Sequence, residues 1–223
     1  MVRTRRRPPA PAALIRNGRR WTERWKMIRD KDTGADWATR SAKQALRVPL
    51  ETLTHGKCAF CEGALGAQSF LLIDHYVSRK VDTDGVFEWQ NLFPICSECN
   101  VRKGHEDHQN ELLKPDAEDP EPFFWLGPEG KLDPHPALSD AERRRASETI
   151  RICGLNRGPL QKSRSRIMRQ VSRWLQRQTF EEWQDLSDPA TPYKLALRHV
   201  VRDFPELVEH DRRRFHYGDG LLA

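Results

Sequence analysis

A chain of 223 residues, 37% hydrophobic and 31% charged with a formal net charge of +6, is long enough for one domain with additions and has no apolar run long enough to span a membrane. Seven Trp and nine Phe supply core anchors and exclude wholesale disorder. The positive charge is clustered. Residues 1–30 carry ten Arg or Lys against two acids, residues 143–177 carry eleven against Glu148 alone, and Glu106–Glu121 between them is acidic. Such clusters suit either a polyanionic partner or ordinary solvated helix faces.

In chain order, the first fifteen residues, with Arg5–Arg7 ahead of PPAPAA, predict an extended, poorly ordered arm. Trp21, Trp25 and Ile28 share one face at i, i+4, i+7 and predict a helix from Trp21. A second helix is expected from Asp36 to Leu46, with Pro49 closing or bending it. Residues 1–54 therefore read as a basic arm and helical lead-in. From His55 to residue 110 the texture changes: SFLLIDHY predicts a short buried strand, and NLFPI a second one that Pro94 confines to an edge or strand end. CSECNVRKG predicts a short helix ended by Gly104.

Residues 111–223 open with an acidic, proline-rich linker, KPDAEDPEP, and a turn-rich stretch, FFWLGPEGKLDPHP. Ser139 and Glu142 form an S-x-x-E capping box for a helix that ends before Gly154. A further helix is expected over Pro159–Gln178. It carries an apolar stripe of Leu160, Ile167, Val171, Trp174 and Leu175 and a basic stripe of Lys162, Arg166, Arg169, Arg173 and Arg177. EEWQDL, YKLALRHVVRDF and ELVEHDRRRFHYG suggest two more short helices, broken at Pro189, Pro192 and Pro205. The fold class is α+β, mainly helical. The basic start lacks the apolar core of a secretory signal, so the expected location is the cytoplasm.

The chemistry concentrates in the middle segment. Cys58 and Cys61 form one C-x-x-C pair, and Cys96 and Cys99 form a second after 34 residues. Four thiolates favour a closed tetrahedral Zn²⁺ site with a structural role, since no position is left for water. Cys153, alone between Ile152 and Gly154, is expected to be a small buried apolar residue. Between and just after the pairs lie Asp74, His75, Asn91 and Asn100. An imidazole can act as a general base at neutral pH, and Asp and Asn oxygens suit Mg²⁺ or Mn²⁺. Adjacent strand residues point to opposite faces, so Asp74 and His75 can both serve a site only at a strand end.

CAFCE, IDHY, WQNLFPIC and CNVRKG, in this order and spacing, resemble the HNH nuclease family with its ββα-metal fold. The resemblance implies a zinc-stapled HNH core over residues 55–110, flanked by N- and C-terminal helices. It implies that His75 activates water, that Asp74 and Asn100 hold a single catalytic Mg²⁺ or Mn²⁺, and that Asn91 holds the loop and the His75 ring. Asn100 stands where many members have His, and Ser78 stands where Pro is usual after the Asp-His pair. Arg79 and Lys103 are expected either to contact phosphate or to be solvated surface charges. The basic start, LLKPDAEDPEPFF and ETIRICGLNRGPLQKSR extend the likeness to the HNH subunits of Septu-type and related retron anti-phage systems. That implies a PtuA-like ATPase partner and outer helices that dock it or nucleic acid. Two functions follow: a metal-dependent endonuclease acting on nucleic acid, with DNA the expected substrate, or a zinc-stapled module that binds nucleic acid or the ATPase without catalysis.

Overall fold

The computed structural model describes residues 7–29, 36–66, 71–177 and 188–202. Its elements run α1 (Ala12–Arg29), α2 (Arg40–Thr54), β1 (Leu72–His75), β2 (Leu92–Ile95), α3 (Ser97–Lys103), β3 (Phe124–Leu126), β4 (Leu132–Pro134), α4 (Asp140–Ile152), α5 (Gly158–Arg177) and α6 (Lys194–Arg202). Few and short strands among long helices make this an α+β, mainly helical fold.

The central unit is ββα. β1 and β2 pair antiparallel with Leu72 opposite Ile95 and His75 opposite Leu92, and Pro94 is tolerated because β2 has a single partner strand. Cys96 caps α3, its Sγ accepting from Cys99 N, and Gly104 ends the helix at φ +66°, which glycine adopts without steric cost. All of β2 is buried, and α3 packs on β1.

Helix α2 holds this unit from the N-terminal side. Ala42, Leu46, Leu50 and Leu53 recur on one buried face and pack toward β2, while Thr39 caps the start and His55 ends the helix in the left-handed region. The expected helix, Asp36 to Leu46 with Pro49 closing or bending it, differs from the one found: it runs Arg40–Thr54 and Pro49 does not close it. An interior proline costs about 3 kcal/mol, and full burial of three leucines, each worth about 1.5–3 kcal/mol, outweighs that.

The N-terminal arm also differs from expectation. Helix α1 begins at Ala12, not Trp21, directly after Pro11, whose carbonyl accepts from Leu14 and Ile15 N. Ahead of it, Arg7 is buried. Its guanidinium donates to Asp116 (2.6 Å) and to the Leu92 carbonyl (3.0 Å), and lies over the Trp89 and Phe93 rings. Several donors on one planar group let Arg, unlike Lys, pair with a carboxylate and a backbone carbonyl while stacking on aromatics.

The stretch FFWLGPEGKLDPHP contains a hairpin rather than turns alone: Phe124 pairs with Pro134 and Leu126 with Leu132. The Ser139–Glu142 capping box forms as expected. On α5, Leu160 and Val171 are buried and Ile167 half-buried, and the helix packs on α6. One apolar cluster runs from Leu14 on α1 through Phe60, Phe93 and Leu113 to Ala196 on α6, so helices on both sides of the ββα unit share its core. EEWQDL, ELVEHDRRRFHYG and the side chains of Trp174, Leu175 and Arg177 lie outside the described residues. No helix among the described residues is long and apolar enough to cross a membrane.

Replacing Arg7 by Met leaves the Asp116 carboxylate buried with Lys114 Nζ, at 3.7 Å, as its remaining cation. The expected loss is about 3–5 kcal/mol, read as a lower urea midpoint, with Asp116→Asn in the same chain recovering part of it.

Candidate active site

β1 delivers Asp74 and His75 as its last two residues, and pairing with β2 stops there. Tyr76 N donates to the Asn91 carbonyl (2.9 Å) as the chain turns away. The break in the pleat brings both side chains to a single cavity of about 690 Å³, joined by Asn100 and Lys103 of α3.

His75 is buried. Its Nε2 lies 2.9 Å from the Val86 carbonyl, an atom that can only accept, so Nε2 carries the proton and Nδ1 keeps its lone pair. Trp37, in the link before α2, packs edge-on against the ring with centroids 4.5 Å apart. Burial, and then the Arg79 charge, lower the His75 pKa to about 3, so the imidazole is neutral across the physiological range.

Asn91 faces away from the cavity and clips the intervening loop. Its Oδ1 accepts from Val77 N (2.7 Å), and its Nδ2 donates to the Val77 and Gly85 carbonyls, both at 3.1 Å. Gly85 is next to Val86, so the clip also holds the carbonyl that orients His75. Ser78, at the position where the resemblance departs from proline, donates to the His105 carbonyl (2.6 Å) and accepts from Lys80 N (3.3 Å), fastening the same loop to the end of α3.

Lys103 is only 3% exposed and is not a solvated surface charge. Its ammonium donates to the His75 carbonyl (2.8 Å) and to Asp74 Oδ1 (3.3 Å), leaving Asp74 Oδ2 buried without a hydrogen bond. Burial pushes the Asp74 carboxyl above the usual carboxylate range against the pull of Lys103. Asp74 Oδ2 lies 3.3 Å from the same ammonium without a hydrogen bond, and with Asn100 lining the same cavity the oxygens are of a type that suits a hard cation. Arg79 lines the cavity and lies over the Trp25 and Trp37 rings, 5.2 and 5.8 Å from their centroids.

The four cysteines lie behind this site. The ligand atoms of Cys58, Cys61, Cys96 and Cys99 are all within 4.8 Å of one another, with Cys61 and Cys96 sulfurs 3.8 Å apart. A tetrahedral ion with metal–sulfur bonds near 2.3 Å requires sulfur separations of about 3.8 Å, so the cluster fits a closed metal site that could hold zinc. The Arg157 guanidinium sits against it, 3.5 Å from Cys99 Sγ and 3.8 Å from Cys96 Sγ. Burial lowers the Arg157 pKa, but the nearby thiolates outweigh it and raise it overall, as expected of a cation neutralising an anionic cluster. Cys153 stays outside the cluster as a buried thiol.

The structure therefore brings together Asp74, His75, Asn100, Lys103 and Arg79, with Asn91 one layer behind. It does not bring in the α5 stripe: Lys162, Arg166, Arg169 and Arg173 are exposed on a helix that does not line the cavity. Sequence reasoning missed Trp37, Arg157 and the cavity-facing side of α2. For Arg157 the only signal was a lone basic residue just after Gly154, and for α2 the i, i+3, i+7 spacing of Arg40, Lys43 and Arg47.

The ββα unit with its paired cysteines is of the HNH class: residues 58–106 match the model of the HNH endonuclease family. The chain is also similar to two curated proteins, each named Septu protein PtuB. That of Bacillus thuringiensis is 26% identical over 117 residues, 52% of this chain and 42% of the relative, and that of Bacillus mycoides (strain KBAB4) is 22% identical over 148 residues, 55% and 50% respectively. The chain thus spans about half the length of the curated relatives it matches.

Two outcomes follow from this geometry. Chelation, or Cys96→Ser, removes about one ion per chain by elemental analysis and abolishes cooperative unfolding, because the cluster joins the loop at Cys58 to the start of α3. Lys103→Met leaves Asp74 buried and unpaired and costs about 3–5 kcal/mol in metal-free buffer. Added Mn²⁺ raises the unfolding temperature of that variant more than that of the wild type.

Proposed function

We propose that this chain is a metal-dependent endonuclease in which His75 Nδ1 takes a proton from water while the oxygen attacks a backbone phosphorus. The P–O3′ bond breaks, and the 3′ oxygen leaves and is protonated from solvent. The observation that carries the reading is the convergence of Asp74, His75 and Asn100 on one cavity, with the His75 tautomer set by the Val86 carbonyl. Asp74 and Asn100 hold Mg²⁺ or Mn²⁺, which when bound supplies positive charge to the phosphate and the leaving oxygen. Asn91 and Ser78 keep the His75 loop in register, and Trp37 excludes water from one face of the ring. Zn²⁺ in the four-cysteine cluster is structural.

The likeness to the Septu proteins supports a role in anti-phage defence in the cytoplasm, with DNA as substrate and a PtuA-like ATPase as partner. The exposed Lys162, Arg166, Arg169 and Arg173 offer a basic docking surface for the partner protein, on a helix that does not line the cavity. The Lys103–Asp74 contact favours a second reading, a nucleic-acid-binding module whose cation site is filled by its own lysine.

Purified chain incubated with plasmid DNA and Mg²⁺ or Mn²⁺, alone and with a PtuA-like ATPase, decides between the two. On the first reading the wild type nicks or linearises DNA and His75→Ala loses about 10²–10⁴-fold in rate. DNA binding with no cleavage under either condition supports the second.

A further inference from the structure

One wall of the catalytic cavity comes from outside the matched HNH segment. Helix α2 turns its apolar face, Ala42, Leu46 and Leu50, into the core and so commits the opposite face to the cavity. That face carries Arg40, Lys43, Gln44 and Arg47. Arg40 and Arg47 are exposed, and Lys43 is half-buried and paired with the exposed Asp36 at 2.8 Å. From Arg40 to Arg47 the helix rises about 10 Å, the length of about three steps of a B-form strand.

The charge inventory is one-sided. Arg40, Lys43, Arg47, Arg79 and Lys103 face Asp36 and Asp74 across the cavity; Lys103 is committed to Asp74, and Arg47 is also paired along the helix with Glu51 at 3.0 Å, so positive charge stays in excess with Arg40 and Arg79. A concave, positively charged surface beside neutral hydrogen-bonding groups such as Gln44 and Asn100 suits an anion carried on an extended polar ligand better than a small apolar molecule. The wall is also fixed relative to the reacting groups, because Trp37, just before α2, packs edge-on against His75 and lies under Arg79.

We propose that Arg40, Lys43 and Arg47 form the strand-binding wall of the site, holding the phosphates of a nucleic acid next to the one that is cut. The word "cut" rests on the endonuclease reading; the binding itself does not. These side chains set the position of the strand along the cavity, and Gln44 contributes a neutral hydrogen bond to sugar or phosphate.

The test uses the full chain in the His75→Ala background, so that no cleavage intervenes, and a fluorescein-labelled DNA duplex and its single strand as probes. Affinity is measured by anisotropy across a salt series. Replacing Arg40, Lys43 and Arg47 together by Gln is expected to lower the slope of log affinity against log salt by about 1 per residue on at least one probe. The matched control, Lys162→Gln, Arg166→Gln and Arg169→Gln, removes the same charge from α5 and is expected to change that slope by less than about 1. An unchanged slope in the α2 variant, or an equal fall in both variants, overturns the proposal. Both sets keep the wild-type unfolding midpoint, since neither enters the apolar core. Cleavage by the wild type and its loss in His75→Ala are scored separately, so failure of this inference and failure of the endonuclease reading are distinguishable.

Discussion

Everything in the centre of this molecule depends on four sulfur atoms being gathered within 4.8 Å of one another, in a cluster that could hold one ion. Cys58 and Cys61 sit in a tight loop, and Cys96 and Cys99 sit at the first turn of α3, with 34 residues between the pairs. Joining them fixes where α3 starts relative to β1, and so fixes Asn100 and Lys103 against Asp74 and His75. A hairpin of two four-residue strands and a seven-residue helix could not hold that geometry alone, since an isolated two-stranded sheet is marginal in water. Arg157 completes the arrangement by placing a cation beside the thiolates, which reduces the electrostatic cost of burying them.

The second constraint is desolvation. Asp74, His75 and Lys103 are almost fully buried, so each must be compensated in place: Asp74 by the Lys103 ammonium, Lys103 by the His75 carbonyl as well, and His75 by staying neutral. The same burial keeps the imidazole unprotonated and its basic nitrogen defined. The clip made by Asn91 belongs to this economy, because two hydrogen bonds to one loop residue and a third to Gly85 hold the carbonyl that selects the His75 tautomer.

What could be read in the sequence was what is written locally. The C-x-x-C spacings, the Ser139 cap, the Asp-His pair at a strand end and the short helix closed by Gly104 all depend on neighbours within a few residues. The errors came where distant partners override local signals. Pro49 reads as a stop, but the leucine face it interrupts is buried against β2. Arg7 reads as part of a charged arm, but its partners lie 82 to 109 residues away. Lys103 was open between a phosphate contact and a solvated surface charge, and the second is overturned because Asp74 comes to it from 29 positions back and buries it. The β3–β4 hairpin was missed because three-residue strands are too short to display a period.

Arg7 also has a consequence for the order in which the molecule can be completed during synthesis. Its carboxylate partner Asp116 follows it by 109 residues, and translation at about 5–20 residues per second separates the two by on the order of 5–20 s. Within that interval Trp89, Leu92 and Phe93 emerge before Asp116. The carbonyls and rings that receive Arg7 are therefore synthesised before its counter-charge, and the guanidinium gains its carboxylate only once Asp116 has followed.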